Sequence, residues 1–434
     1  MTKRLFLAVI LTALFANNAA AQKLIIDVQG VSQPKPVAIV PFGWEGDSPA
    51  VPLDVASVIQ ADLRRSGRFA PTGENDMLQK PTNSADVDFD DWTILGVEAI
   101  VIGKIIQTGA NAYTLQFQLF DAFSRRQLIG FRMPASRGTM RSAAHRAADM
   151  IYEKLTGIKG VFGTKVVYVT AKQQANGRLY SLIVSDQDGE NDNVIMESKD
   201  PIMSPAWSPD SRQLAYVSFE GSKSAIYVQT LRSGNRFKII DRPGINGAPS
   251  FSPDGRKLVI TLGGVNGNPD IYVLDITTRQ TKRLTTHRAI DTEGTWSPDG
   301  RYIYFTSDRA GGPQIYRISA NGGTPERITF EGSYNARPRL SPDGTRLAMV
   351  HNDRGNFRIA VMNIERRDLL VLSTGRQDES PSFAPNSDSL IYATRQRGDG
   401  VLETVSADGL IRQKMASGQG DVREPVWSPF PRFQ

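Results

Sequence analysis

The sequence predicts two domains: a small N-terminal α/β domain followed by a six-bladed all-β propeller closed by a C-terminal strand. Three observations carry this. A large apolar residue followed by a Ser-Pro-Asp-Gly-like turn stands at Trp207, Phe251, Trp296, Leu340, Phe383 and Trp427, at intervals of 44, 45, 44, 43 and 44 residues. Each turn leads into apolar runs that alternate with period two, which marks sheet. Residues 22–160 hold no copy of the repeat but contain two stretches of helical periodicity. A repeat of about 40–50 residues built from short alternating strands is the mark of propeller blades.

The chain opens with Lys3 and Arg4, then the apolar run Leu5 to Phe15, then the small residues Ala19, Ala20 and Ala21. This reads as a secretory signal peptide, residues 1–21, cut before Gln22 and too short to span a bilayer. No Cys stands at the cut to carry a lipid, and no later run is apolar enough to cross a membrane. The expectation is an exported chain with no direct membrane insertion. Loss of Lys3 and Arg4 lowers the formal charge from +6 to +4. That mild charge gives no nucleic-acid footprint. The chain has no Cys, which excludes disulfides, thiol catalysis and thiolate-bound zinc.

Residues 22–160 are assigned to the α/β domain, with Gln22 to Pro36 as either a flexible arm or an edge strand. VAIVPF (Val37 to Phe42) reads as a buried strand. Leu53 to Phe69 carries the helical stripe Leu53, Ala56, Ile59 and Leu63. Gly96 to Ile105 is a strand, and two further strands form a hairpin across Asp121 to Arg125. Thr139 to Gly157 is an amphipathic helix with Met140, Ala144, Ala147, Ile151 and Leu155 inward, stopped at Gly157.

Residues 161–434 are assigned to the propeller, each unit reading as four strands. In the turns, Pro presets φ, while Asp and Gly suit the turn and its exit, so these residues are structural. Two strands, from Lys165 and Leu179, precede the first aromatic turn, and one strand accompanies the last. The C-terminus is therefore expected to supply the innermost strand of the first blade and leave no open edge.

No catalytic constellation emerges. The three histidines, His145, His287 and His351, lie far apart in sequence. There is no G-x-S-x-G, P-loop or G-x-G-x-x-G, so neither a hydrolase elbow nor a nucleotide cofactor is implied. Asp186, Asp188 and Asp192 hint at a calcium loop, but Asn191 stands where Gly is required, and a hairpin turn is the better reading. No metal and no cofactor is expected. Binding is then the default, at the channel mouth formed by the loops entering the innermost strands, opposite the Ser-Pro-Asp-Gly turns. Those loops mix acidic, basic and apolar residues, which suits a protein surface.

The chain resembles the TolB family of the periplasmic Tol-Pal system along its whole length. The resemblance rests on the signal peptide, IIDVQGVSQPKPVAIVPFGW, the repeats SPAWSPD, APSFSPDG and TWSPDG, and TSDRAGGPQIYRISANGGTPERIT (Thr306 to Thr329). It implies an interaction protein of the periplasm, not an enzyme. Its channel mouth would bind the lipoprotein Pal and its N-terminal segment would engage TolA. Other outer-membrane proteins and bacteriocins are further partners of the kind it implies. Its roles would be outer-membrane integrity and envelope constriction at cell division. The alternative is a periplasmic ligand-binding or scaffold propeller outside Tol-Pal. Carried onto this chain, the Pal-facing positions are Ile245, Asn246, Ala248, Asp291, Thr292, Glu293, Tyr334, Asn335, Arg337, Asp378 and Glu379. Ile245 stands where the family often places a His. The TolA-facing segment is Gln22, Lys23, Leu24, Ile25, Ile26, Asp27 and Val28.

Overall fold

Beginning at the N-terminal side, the ordered elements are β1 (Lys35–Ile39), β2 (Gly43–Glu45), α1 (Val55–Arg65), β3 (Phe69–Pro71), α2 (Phe89–Ile94), β4 (Ala99–Gly109), β5 (Ala112–Asp121), β6 (Arg126–Ala135) and α3 (Met140–Thr156). The computed structural model describes residues 33–47, 51–264, 267–415 and 420–431. The signal segment and the stretch Gln22 to Val28 lie outside the described residues.

The sheet has the order β3-β1-β4-β5-β6, with β2 also paired to β4. β1 runs parallel to both β3 and β4, and β4, β5 and β6 continue as an antiparallel meander. Asp54 starts α1 by accepting the Ser57 N–H at 3.0 Å. Gly157, at φ 74°, ends α3 in the left-handed conformation that glycine adopts without a Cβ clash. α1 and α3 cover one face of the sheet, with Ile59, Leu63, Ala144, Ala147 and Ile151 packed on Val37, Ile39 and Val101. Trp92 of α2, fully buried, fills the other face. The two periodic stretches are thus helices as read. Their apolar stripes also carry Asp62 and His145, both buried.

Six four-stranded sheets follow. Blade 1 comprises β7 (Lys165–Gln174), β8 (Gly177–Asp186), β9 (Asn193–Ser198) and, as its innermost strand, Asp421–Trp427 from the C-terminal end. Blades 2 to 6 are each continuous in sequence, with innermost strands Ile202–Trp207, Ile245–Phe251, Asp291–Trp296, Asn335–Leu340 and Glu379–Phe383. Apolar cores lie between neighbouring blades and run around the ring, including the junction of blades 6 and 1, where Ile391 and Ala393 pack with Val166 and Tyr168. Because each core needs both neighbours, the closing strand completes burial as well as hydrogen bonding.

The repeated turn works through its serine. Ser297 Oγ donates to Asp299 at 2.5 Å and accepts the Tyr302 N–H at 2.9 Å. Ser208, Ser252 and Ser341 do the same in their blades. Gly255, Gly300 and Gly344 follow at φ between 71° and 74°, and Ser211 and Ser387 occupy the same left-handed position without a glycine. The tryptophans pin blades together. Trp207 Nε1 donates to the Val426 carbonyl at 3.0 Å, and Trp296 Nε1 to the Ser250 carbonyl at 3.2 Å, each on the preceding blade's innermost strand.

The turn after β8, read from sequence as a plain hairpin turn, carries more than that. Asp186 and Asp188 are buried and receive Arg141 from α3, Arg65 from α1 and Lys165 from β7. Across a second contact, Arg68 reaches Asp388 of blade 6 at 3.1 Å.

Candidate functional site: the channel and its mouth

Every innermost strand is broken by a β-bulge, and each bulge contains one non-glycine residue with positive φ: Ser204, Ala248, Glu293, Arg337, Ser380 and Glu424, at φ between 46° and 58°. Five of the six precede a proline; Glu293 precedes Gly294. The spacing follows the blade repeat, so the six residues form a ring around the channel axis and together line one small cavity. Bulges re-aim side chains, and here they turn six of them into the channel.

An ion-pair network closes that ring. Arg337 Nε donates to Glu293 Oε1 at 3.0 Å, and the Arg337 backbone N–H donates to Glu293 Oε2 at 3.0 Å. Its guanidinium also approaches Glu424 at 3.6 Å and donates to Ser380. Glu424 in turn accepts the Ser204 N–H. Burial pushes the Glu424 carboxyl above the usual range, opposed by Arg337. Burial alone would lower the Arg337 pKa, but Glu424, Glu293 and Glu379 outweigh it and raise the value. The side chain therefore stays a cation that ties blades 4, 5, 6 and 1 across the axis.

Beside this ring the channel opens into a cleft of about 410 Å³. Tyr334, Phe357, Glu379, Arg395 and Arg423 are among its walls. Tyr334 and Phe357 meet edge to face with centroids 5.0 Å apart.

A model described as the TolB amino-terminal domain matches residues 24–128, and one described as the TolB beta propeller domain matches residues 152–431. The chain belongs to the TolB family. A Tol-Pal system protein TolB from Nitrosococcus oceani is 49% identical over 97% of this chain and 96% of its own length. One from Xanthomonas campestris pv. campestris is 45% identical over 98% of each. The crystal structure of TolB from Acinetobacter baumannii superposes with a TM-score of 0.83 at 40% identity, covering 92% of this chain and 97% of that one. Neither matched TolB model describes a catalytic domain.

Within this TolB-family propeller, the positions singled out from sequence separate into two sets. Asn246, Asp291, Asn335 and Asp378 sit two residues before a bulge, and each is 1% exposed or less. Their polar atoms are committed inside the blades. Asn246 binds the Ser224 and Arg242 carbonyls at 3.0 and 2.7 Å. Asp291 takes a two-pronged contact from Arg309 at 3.0 and 2.7 Å. Asn335 binds Gln314, the Glu331 carbonyl and His351. Asp378 accepts from Thr394, Ser373 and the Gly375 N–H. These four shape the loops and present no free polar group to a partner.

The second set faces open space. Ile245 is 48% exposed at the start of its strand. Ala248, Glu293 and Arg337 lie in the ring, while Tyr334 and Glu379 line the cleft. Thr292 is half-buried with its hydroxyl 3.4 Å from that of Thr261. The loops entering the innermost strands, read from sequence as the mouth, contain Ser204, Ser380, Arg423 and Glu424, but the Pal-facing set left these four out, and Arg395 lies outside those loops. A signal for the ring was available: Ser-Pro, Ala-Pro, Arg-Pro, Ser-Pro and Glu-Pro recur in step with the large apolar residue that opens each repeated turn three residues later.

Proposed function

We propose that this TolB-family chain is a non-catalytic adaptor of the Tol-Pal system in the periplasm. Its channel mouth binds Pal, and its N-terminal segment Gln22 to Val28 engages TolA. Residues 1–21 direct export and are removed in its course, and the adaptor serves outer-membrane integrity and envelope constriction at division. The observation that carries this reading is the mouth itself: an aromatic pair and opposite charges ring a cleft whose floor is filled by side chains of this chain. Such a surface favours a protein segment that lays down an anchor within a polar rim. The relatives' name, Tol-Pal system protein TolB, supplies the system. Among the described residues no helix is long and apolar enough to cross a membrane.

Two contacts on one chain allow coupling, which by linkage acts equally in both directions. The test uses the mature chain and purified soluble Pal. Tyr334→Ala and Glu379→Lys should each weaken Pal binding by about tenfold or more, the loss expected of a central interface residue. Removal of residues 22–32 should abolish TolA binding and leave Pal binding intact. Unchanged Pal affinity in both mouth variants would refute the site. Recovery of a different envelope partner, in place of Pal, would favour a scaffold outside Tol-Pal.

A further inference from the structure

His145, on α3, is 1% exposed and stands between the two domains. Its Nδ1 lies 2.6 Å from Asp62 Oδ2 on α1. A carboxylate only accepts, so Nδ1 carries the proton of that bond. The other ring nitrogen, Nε2, has no hydrogen-bond partner. It faces two carboxylates of the propeller, Asp188 at 3.8 Å and Asp186 at 4.0 Å. A neutral ring would therefore aim its Nε2 lone pair at two negative groups, whereas the imidazolium aims an N–H at them.

The surrounding charges agree. Arg65 binds Asp62 and Asp188, Arg141 binds Asp188 and approaches Asp186 at 3.7 Å, and Lys165 binds Asp186. One turn along α3, Asp149 accepts the N–H groups of Phe162 and Gly163 in the linker, at 2.7 and 3.0 Å. Asp62, Asp186 and Asp188 thus meet three cations, and a charged His145 is the fourth. Ligand atoms of Asp62, His145 and Asp188 lie within 4.8 Å of one another. Arg65 and Arg141 already occupy those carboxylates, so a proton, not a metal ion, completes the cluster.

We propose that His145 is a proton-operated latch between the α/β domain and the propeller. As imidazolium it links Asp62 to Asp186 and Asp188 and holds the domains together. As neutral imidazole it repels the same carboxylates and loosens the contact. Burial opposes the charge, but the hydrogen bond and charge of Asp62, with Asp188 and Asp186 behind it, raise the His145 pKa above 6.5. A raised value means the contribution is full below 6.5 and is lost as pH rises through the folded value. Asp149, pushed up by burial from 3.8 to about 7, acts with the same sign: its contribution is full below 3.8 and lost as pH rises through about 7. The His145 titration loosens the interface on the alkaline side. This reading does not depend on which partners the chain binds.

Because the chain has no Cys, two can be introduced cleanly, for example Ser124→Cys and Lys223→Cys, one per domain and both at exposed sites. Spin labels there report the interdomain distance across pH 5.5 to 9, and imidazole NMR on the otherwise unaltered mature chain reports protonation. His145 should titrate above 6.5, and the distance distribution should widen as pH passes its midpoint. His145→Asn, which keeps an N–H for Asp62 but cannot carry the charge, should show the wide distribution already at neutral pH. If that variant does not fold, the two wild-type readings decide alone. A His145 that titrates at or below 6.5, or a distance unchanged with pH in the wild type, overturns the latch.

Discussion

Arg337 meets Glu293 twice, through its guanidinium and through its own backbone N–H, both at 3.0 Å. The same left-handed backbone that opens the bulge aims both donors at one carboxylate. Loss of the Arg337 guanidinium takes its Nε donor from Glu293 and leaves Arg339 as the cation still interacting with Glu293 and Glu424 in the channel cavity. Arg337→Met should therefore cost about 1–3 kcal/mol, the range for stranding a buried polar group. Urea unfolding measures it. The combination Arg337→Met with Glu424→Gln should recover part of the loss, because one of the two carboxylate charges is gone.

Trp296 and the Ser250 carbonyl, 3.2 Å apart, join blades 4 and 3. Trp296→Phe keeps most of the ring volume and loses that bond, so it should cost about 1 kcal/mol. Trp296→Ala also opens a cavity between blades and should cost about 3–5 kcal/mol. Thermal or urea unfolding of the two variants separates the hydrogen bond from the packing.

The fold was legible because its signals are local and repeat. Proline, aspartate and glycine mark a turn by their own backbone preferences, and six turns at one spacing fix the blade count. The site was less legible. Asn246, Asp291, Asn335 and Asp378 look like exposed loop polar residues in a linear reading. Only the bulge two positions later decides that they point inward while Glu293 and Arg337 enter the channel. Asp62, His145 and Asp188 were harder still. They come from α1, α3 and the turn after β8, and nothing in the residues beside them tells that they meet.

Asp299 is held near 2 by the Ser297 hydroxyl, the Arg301 N–H and the Arg301 side chain. Its folded value lies below the ordinary 3.8, so its contribution is present above 3.8 and lost as pH falls through about 2. The side chain is 43% exposed. Solvent screening limits the energy to a fraction of a kilocalorie per mole. Ser297→Ala removes the strongest of these contacts and strips the Tyr302 N–H of its side-chain acceptor at 2.9 Å. Carboxyl NMR should show Asp299 moving back toward 3.8, with little change in the turns of the other blades.

The strand Asp421–Trp427 closes the ring by four separate means. It pairs with β7, supplies the Val426 carbonyl to Trp207, places Glu424 in the channel network and seats Trp427 against Thr164 at 2.7 Å. A chain ending before Asp421 would leave β7 as an open edge, and the cores of blade 1 with blades 6 and 2 would both be exposed. An unpaired edge invites pairing with another chain. Hydrogen exchange of such a truncation should show loss of protection first in β7 and β8, and light scattering should show self-association. If β7 kept its protection without the C-terminal strand, the closure of the ring would rest on something other than that pairing.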